Sequence, residues 1–434
     1  MPSARPSEDP SRMRLLSVLT VLLIAATPLG TSRAARLALA CGSVGIEATL
    51  CRQSAEAWAR QTGNTVDLVS TPSGSSARLA LLQQLLAARS ADIDVFQIDI
   101  VWPGMLAAHL LDLAGRVPPA RLDATFPALV AANTVAGRLV ALPWFTSAGL
   151  LYYRRDLLAK YHRPVPQTWA ALQDTAAAIM QAERQAGTPR IWGYVFQARA
   201  YEGLTANALE WLDSHAAGRI VSADGRITVA NPKAEAALAQ AAAWVGTIAP
   251  KGVLNYAEEE ARGVFQTGDA VFMRNWPYAW PLLNAPDSPV RGRVGIAMLP
   301  RGSDGGHHSA TLGGEGLAIS RYTNHPDEAA SLLLHLTRRA AQKQRAIAAG
   351  FNPTLPDLYL DPDVLAANPF YRDLAATFAN AVARPSVVTG PRYNQVSAEF
   401  WNAVHSVLAG RATAEDALAR LDRTLHRVSR GEKW

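Results

Sequence analysis

Four carboxylates, Glu47, Asp99, Glu202 and Glu315, stand at the ends of apolar runs or in turns, the places where open α/β sheets hold their ligands. A pair of such groups can act as acid and base on a glycosidic bond, and spacing along the chain does not exclude that chemistry. The same groups can instead accept hydrogen bonds from ligand hydroxyls and break nothing. Further along, "VFMRNWPYAWP" at 271–281 packs two tryptophans, a tyrosine, two prolines, an arginine and an asparagine into eleven residues. It is too aromatic for a linker and too polar for an ordinary buried strand.

Other chemistry is poorly supported. No G-x-S-x-G, H-E-x-x-H or G-x-x-x-x-G-K-[ST] pattern occurs, and "GGEGLA" lacks the third glycine of a dinucleotide fingerprint. His307 and His308 are adjacent in a Gly/Ser stretch with no third ligand at helical spacing, so they read as solvated loop residues and not as a metal centre. "EEEAR" at 258–262 reads as the acidic first turn of a helix. The expectation is a protein without metal or cofactor.

The N-terminus carries Arg12 and Arg14, the apolar run 15–26 and small residues at Ser32 and Ala34. That is the order of an export signal covering 1–34, and its apolar run is shorter than a bilayer span. A cut before Cys41, in "LALAC", would instead give a lipid-anchored chain, although Ala38 stands where such sites favour leucine. The net charge of +6 contains +2 from four arginines and two acids in 1–34, leaving +4. The remaining arginines are scattered and no basic run is interleaved with aromatics, which argues against nucleic acid as a partner. Cys41 and Cys51 are the only cysteines, and in an oxidising compartment they are expected to pair.

Elements able to position these groups follow from periodicity. Residues 37–42, 66–70 and 95–98 read as buried strands, 47–60 and 75–88 as helices, an alternation that implies an α/β lobe with parallel strands. About 400 residues exceed what one core usually fills, so two lobes are expected. Residues 166–247 read as mainly helical, 302–316 as a glycine-rich loop feeding a strand at 317–320, and the segment after 393 as closing helices.

In order along almost the whole chain, "ACGSVGIEATLC", "STPSGSSARLALLQQLLA", "DIDVFQIDIVWPG", "LPWFTSAGLLYYRRDLL", "YEGLTANALEW", "GDAVFMRNWPYAW", "TLGGEGLAIS" and "ARPSVVTGPRYNQVS" resemble the extracytoplasmic solute-binding proteins of carbohydrate ABC importers. The resemblance is greatest to their trehalose/maltose-binding subgroup of proteobacterial trehalose type. It implies an α/β fold of two lobes, joined by crossing segments at a hinge, with a sugar in the cleft between them. The corresponding boundaries are 35–146 and 313–352 for the first lobe, 147–312 and 353–434 for the second.

The resemblance also implies a periplasmic monomer that catalyses nothing and works with inner-membrane permease subunits and a cytoplasmic ATPase. It makes Trp276 the sugar platform of the second lobe, consistent with a rigid indole offering ~150–250 Å² at little entropic cost. Glu47, Arg78, Asp99, Arg384 and Tyr393 match polar ligand-binding positions of the family, and Phe145, Glu202, Gly313 and Gly314 fall within its matched segments. Two positions depart from the pattern: Ser147 stands where close relatives carry aspartate, and Glu315 where they carry tryptophan. Those two put the identity of the sugar in question. An exported carbohydrate-active enzyme and a sugar-sensing receptor are the rival readings.

Overall fold

The computed structural model describes residues 34–42, 45–72, 75–302, 305–431 and 433–434. The expected export signal lies outside the described residues apart from Ala34. Within them no helix is long and apolar enough to cross a membrane.

Two sheets organise the chain. The twelve strands are β1 (Arg36–Ala40), β2 (Thr65–Leu68), β3 (Val95–Asp99), β4 (Thr134–Val135), β5 (Arg138–Leu139), β6 (Leu142–Ala148), β7 (Leu150–Arg154), β8 (Trp192–Val195), β9 (Ala270–Asn275), β10 (Val294–Ala297), β11 (Ala310–Ile319) and β12 (Ala381–Val382). The first sheet runs β12-β11-β3-β1-β2, with β6 on the other side of β11. The second runs β10-β7-β9-β8, and β4 and β5 form a separate hairpin.

β1 pairs in parallel with both β2 and β3, as the strand–helix alternation requires: helices Gly45–Thr62 and Ser75–Ala87 make the crossovers. Period-two burial then divides the first sheet's core by face. Leu37, Leu39, Val95, Leu317 and Ile319 pack on one side, and Ala40, Phe96, Ile98 and Ala318 on the other. A separate core forms around the second sheet, where Trp169, Tyr194, Phe196, Trp211 and Trp244 meet at ring-centroid distances from 5.0 to 6.4 Å. Two cores of this kind are the two-lobe α/β architecture expected for a chain of this length.

A single residue, Gly149, separates β6 of the first sheet from β7 of the second. A side chain there would run into the Glu210 carboxylate and the Arg274 guanidinium, so only glycine fits. The second passage between sheets leads from β10 to β11.

β11 corrects one expectation. Its ten residues begin at Ala310, so residues 310–316 of the glycine-rich segment expected to be a loop are strand. The glycines have a packing cause. At Gly313 a Cβ would stand 3.0 Å from Cζ3 of Trp276, and at Gly314, with φ of +117°, it would stand 2.5 Å from the Phe145 carbonyl oxygen. Glycine signalled close approach of neighbouring groups, not a turn.

Candidate functional site

The expected site residues gather where β3, β6 and β11 meet. β3 ends in Asp99, and β11 runs antiparallel to it with Glu315 directly opposite. On the other flank of β11, Gly313 faces Ser147, Gly314 faces Thr146 and Glu315 faces Phe145. The ladder shifts register between Glu315 and Gly316, a bulge of the kind that re-aims a side chain next to a site.

Three segments bring charge to this point. Glu47 lies in the first turn of the Gly45–Thr62 helix, where the dipole favours a carboxylate, and its Oε1 accepts a hydrogen bond of 2.8 Å from Gln97 Nε2 on β3. Arg78, 5 % exposed, donates from a terminal guanidinium nitrogen to Glu315 Oε1 at 2.7 Å and lies 5.2 Å above the Trp102 ring. Arg384 donates to Glu202 Oε1 at 2.7 Å and to the Leu312 carbonyl at 3.3 Å, and stands 3.8 Å from Asp99. Glu202 also accepts from the hydroxyls of Tyr393 and Ser397. Seven of the expected residues are thus brought close enough to act on one another electrostatically: Arg78 with Glu315, Arg384 with Glu202, Tyr393 and Asp99, and Glu47 beside Gln97, with the charges of Asp99 and Glu47 reaching Glu315.

Burial shifts its titrations. Loss of solvation raises the Glu47 carboxyl above its ordinary range, against the Gln97 hydrogen bond and the charges of Arg78 and Arg345. Burial pushes Glu315 up to about 8, and the negative charges of Asp99 and Glu47 add to the effect while Arg78 opposes it. Burial works against the charge of Arg384, but Tyr393, Glu202 and Asp99 outweigh it and hold the proton more firmly. Glu315 Oε2, Arg78 Nε and Arg384 Nε are buried and hydrogen-bond to no protein atom. A polar wall with such atoms has unused capacity for a hydroxylated ligand.

Trp276 supplies the apolar side. It follows β9 directly, and its backbone carbonyl accepts from the Tyr152 hydroxyl at 2.7 Å. The guanidinium of Arg274 lies 3.9 Å from the centre of the indole, and Nε1 donates to Glu258 Oε1 at 3.2 Å. Glu258 Oε2 accepts from the Tyr201 hydroxyl at 2.6 Å. Arg274 is wholly buried and paired with Glu210 through two nitrogens. The odd composition of 271–281 therefore has a structural reading: the arginine supports the indole from beneath and Asn275 accepts from the Trp276 amide at 2.8 Å. Trp276 itself is half-buried and packs against Gly313. Phe145, also half-buried, lies 4.9 Å from the Phe351 ring.

Sequence reasoning missed Gln97, Glu210, Glu258, Arg274 and Arg345. The Glu258–Gln266 helix does begin with three acids, but nothing local reveals that the first of them reaches Trp276. The Gly/Ser stretch around His307 is less free than its composition suggested: His307 Nε2 is 3.0 Å from Asp213 Oδ2 and His308 Nδ1 is 2.7 Å from the Leu299 carbonyl. Among the described residues no group of three His, Cys, Asp or Glu is placed to hold a metal ion. Cys41 and Cys51 are bonded, with Cα atoms 6.4 Å apart, and the bridge ties the end of β1 to the helix that carries Glu47.

Comparison with known proteins fits this arrangement. The sequence signature described as bacterial extracellular solute-binding protein matches residues 51–343. A probable ABC transporter-binding protein of Deinococcus radiodurans is 48% identical over 423 residues, covering 97% of this chain and all of the relative. Among solved structures, maltose-bound MalE3 of T. maritima superimposes with a TM-score of 0.83 at 39% identity, over 91% of this chain and all of that one. The fold is also that of an ABC transporter solute-binding protein from Thermotoga lettingae bound with α-D-tagatose, with a TM-score of 0.78 at 22% identity, over 91% of this chain and all of that one.

Proposed function

The chain belongs to the bacterial extracellular solute-binding proteins, and on that premise we propose that it captures a small carbohydrate, a maltose- or trehalose-like disaccharide, for an ABC importer. Its task is binding and delivery, not catalysis. The observation that carries the sugar reading is the pairing of a supported indole, Trp276 over Arg274, with a polar wall in which Glu315 Oε2, Arg78 Nε and Arg384 Nε still lack partners. Sugars present apolar ring faces and a belt of hydroxyls, and this site has a surface for each. The maltose-bound relative at 39% identity supports the same reading.

Glu47, Arg78, Asp99, Glu202, Arg384 and Tyr393 would supply hydrogen bonds, Phe145 and Trp276 apolar contact, and Gly313 and Gly314 close approach of the strand. Sugar would lie between the lobe built on 35–146 and 313–352 and the lobe built on 147–312 and 353–434. Delivery requires a permease pair with its ATPase, export by the 1–34 signal to the periplasm, and a chain acting as a monomer.

Ser147 and Glu315 favour a disaccharide other than trehalose. A neutral hydroxyl and a carboxyl hydrogen-bonded by Arg78 line the wall where the family pattern has an aspartate and an indole. Arg78, and not Arg384, hydrogen-bonds Glu315, so the carboxyl has a protein partner without a cationic ligand.

Thermal unfolding with a panel of disaccharides tests the proposal, since a ligand at a hundredfold excess over its Kd stabilises by about 2.7 kcal/mol. We expect a raised midpoint with a maltose-type sugar and a smaller rise with trehalose. No rise with any sugar would overturn the sugar reading.

A further inference from the structure

We propose that the Glu315 carboxyl holds a proton in the filled site and donates it from Oε2, in a hydrogen bond, to an ether or hydroxyl oxygen of the ligand. The inference rests on the reading of this cluster as the sugar site, and it assigns Glu315 as a specificity-determining donor and not an acceptor.

The charges around Glu315 can be counted from every element packed against it. Arg78 approaches from the Ser75–Ala87 helix, Asp99 stands opposite on β3 and Glu47 comes from the first turn of the Gly45–Thr62 helix. Behind Glu47 lies Arg345 of the Arg339–Ala349 helix, which donates to the carbonyls of Leu336 and Trp144 and to no carboxylate. Beyond Asp99 stands Arg384, hydrogen-bonded to Glu202. Four carboxylates therefore face three guanidiniums; Asp99 and Glu202 keep side-chain exposures of 23% and 31%, while Glu315 and Arg78 keep 16% and 7%, and an uncompensated charge at that buried end is expensive. One proton closes the imbalance.

Position decides which group takes it. Glu315 is flanked by Asp99 and Glu47, whose charges act with burial to hold its carboxyl at about 8. Oε1 accepts from Arg78, so the O–H belongs on Oε2, which is buried without a protein partner. A neutral carboxyl carries one donor there, whereas an ionised Oε2 would add a further negative charge beside Asp99. Ring and glycosidic oxygens of a sugar accept and cannot donate, so a donor at this wall recognises atoms that Glu47 and Asp99 cannot.

The test is calorimetric titration of the disaccharide that binds best, on both sides of about 8, in two buffers of different ionisation heat. Because the ligand needs the protonated form, affinity should hold steady at lower pH and weaken above that point, approaching about tenfold per pH unit. Proton uptake on binding should approach one per sugar there. Glu315→Gln keeps a donor and cannot ionise, so its affinity, at whatever level it sets, should lose the dependence on pH. Sugar binding that is flat with pH, or a Glu315→Gln variant with the wild-type profile, would overturn the donor while leaving the sugar reading intact. Infrared titration of the unliganded wild type gives a second readout, since a neutral-carboxyl band present at neutral pH should disappear through about 8. Its absence at neutral pH would overturn the proposal whether or not the variant folds. Failure of every sugar to bind would remove the donation together with the sugar reading.

Discussion

At the scale of single residues, Trp276 should dominate affinity. Its indole is half-buried, supported by Arg274 and fixed at Nε1 by Glu258, so it meets a ligand with little left to order. Truncation of such an aromatic typically costs about 2 kcal/mol or more, roughly thirtyfold in Kd. Calorimetry of Trp276→Ala should show that loss with the fold retained; a loss under about threefold would make the residue a packing group. Glu315 should also set a stability profile. Its carboxyl binds a proton more tightly in the folded chain, at about 8 against 4.5. The stability it contributes is therefore full below about 4.5 and lost as pH rises to about 8. Thermal midpoints across that interval should fall less for Glu315→Gln than for the wild type. An identical fall in both would place the effect elsewhere.

At the scale of elements, the junction of the two sheets holds one buried ion pair. Glu210 on the Glu202–Ser214 helix binds Arg274 on β9 and accepts from the Thr311 amide on β11 at 3.1 Å, while Gly149 leaves it room beside the first crossing. Removal of one partner of a buried pair leaves the other charged and unpaired, at a cost of about 3–5 kcal/mol. Arg274→Ala should therefore lower stability by about that amount in denaturant unfolding, and weaken ligand binding by loosening the indole. A change within experimental error would contradict the geometry.

The Cys41–Cys51 bridge acts on a different element. Its loss in a Cys41→Ser, Cys51→Ser variant should cost about 2–3 kcal/mol by the chain-entropy estimate, read by the same unfolding measurement. Wild-type stability in that variant would mean the bridge adds nothing to the lobe.

The first three strands and their crossover helices were legible in the sequence because period and burial agree there. Of β11 only the end from Leu317 was legible, because the glycines before it, which admit Trp276 and the Phe145 carbonyl, have the same composition as a loop. The carboxylates and Trp276 stand out in their own segments, whereas Gln97, Glu258, Arg274 and Arg345 meet their partners only when distant segments come together. Nothing in a linear pattern ties Glu258 to an indole eighteen residues on.

At the scale of the whole molecule, the chain passes between the two sheets at Gly149 and again before β11, and a sugar that touched both lobes would favour a closed arrangement. Small-angle scattering should report a more compact particle at saturating sugar, and an unchanged radius would count against closure. The central claim is that this chain binds a sugar and leaves it chemically intact. Isothermal titration of the chain with maltose, trehalose and related disaccharides, followed by chromatographic recovery of the bound sugar, is the decisive measurement. Saturable one-to-one binding of at least one disaccharide, recovered unchanged after long incubation, is the expected result. A chain that binds none of them, or that returns the sugar cleaved, would contradict it.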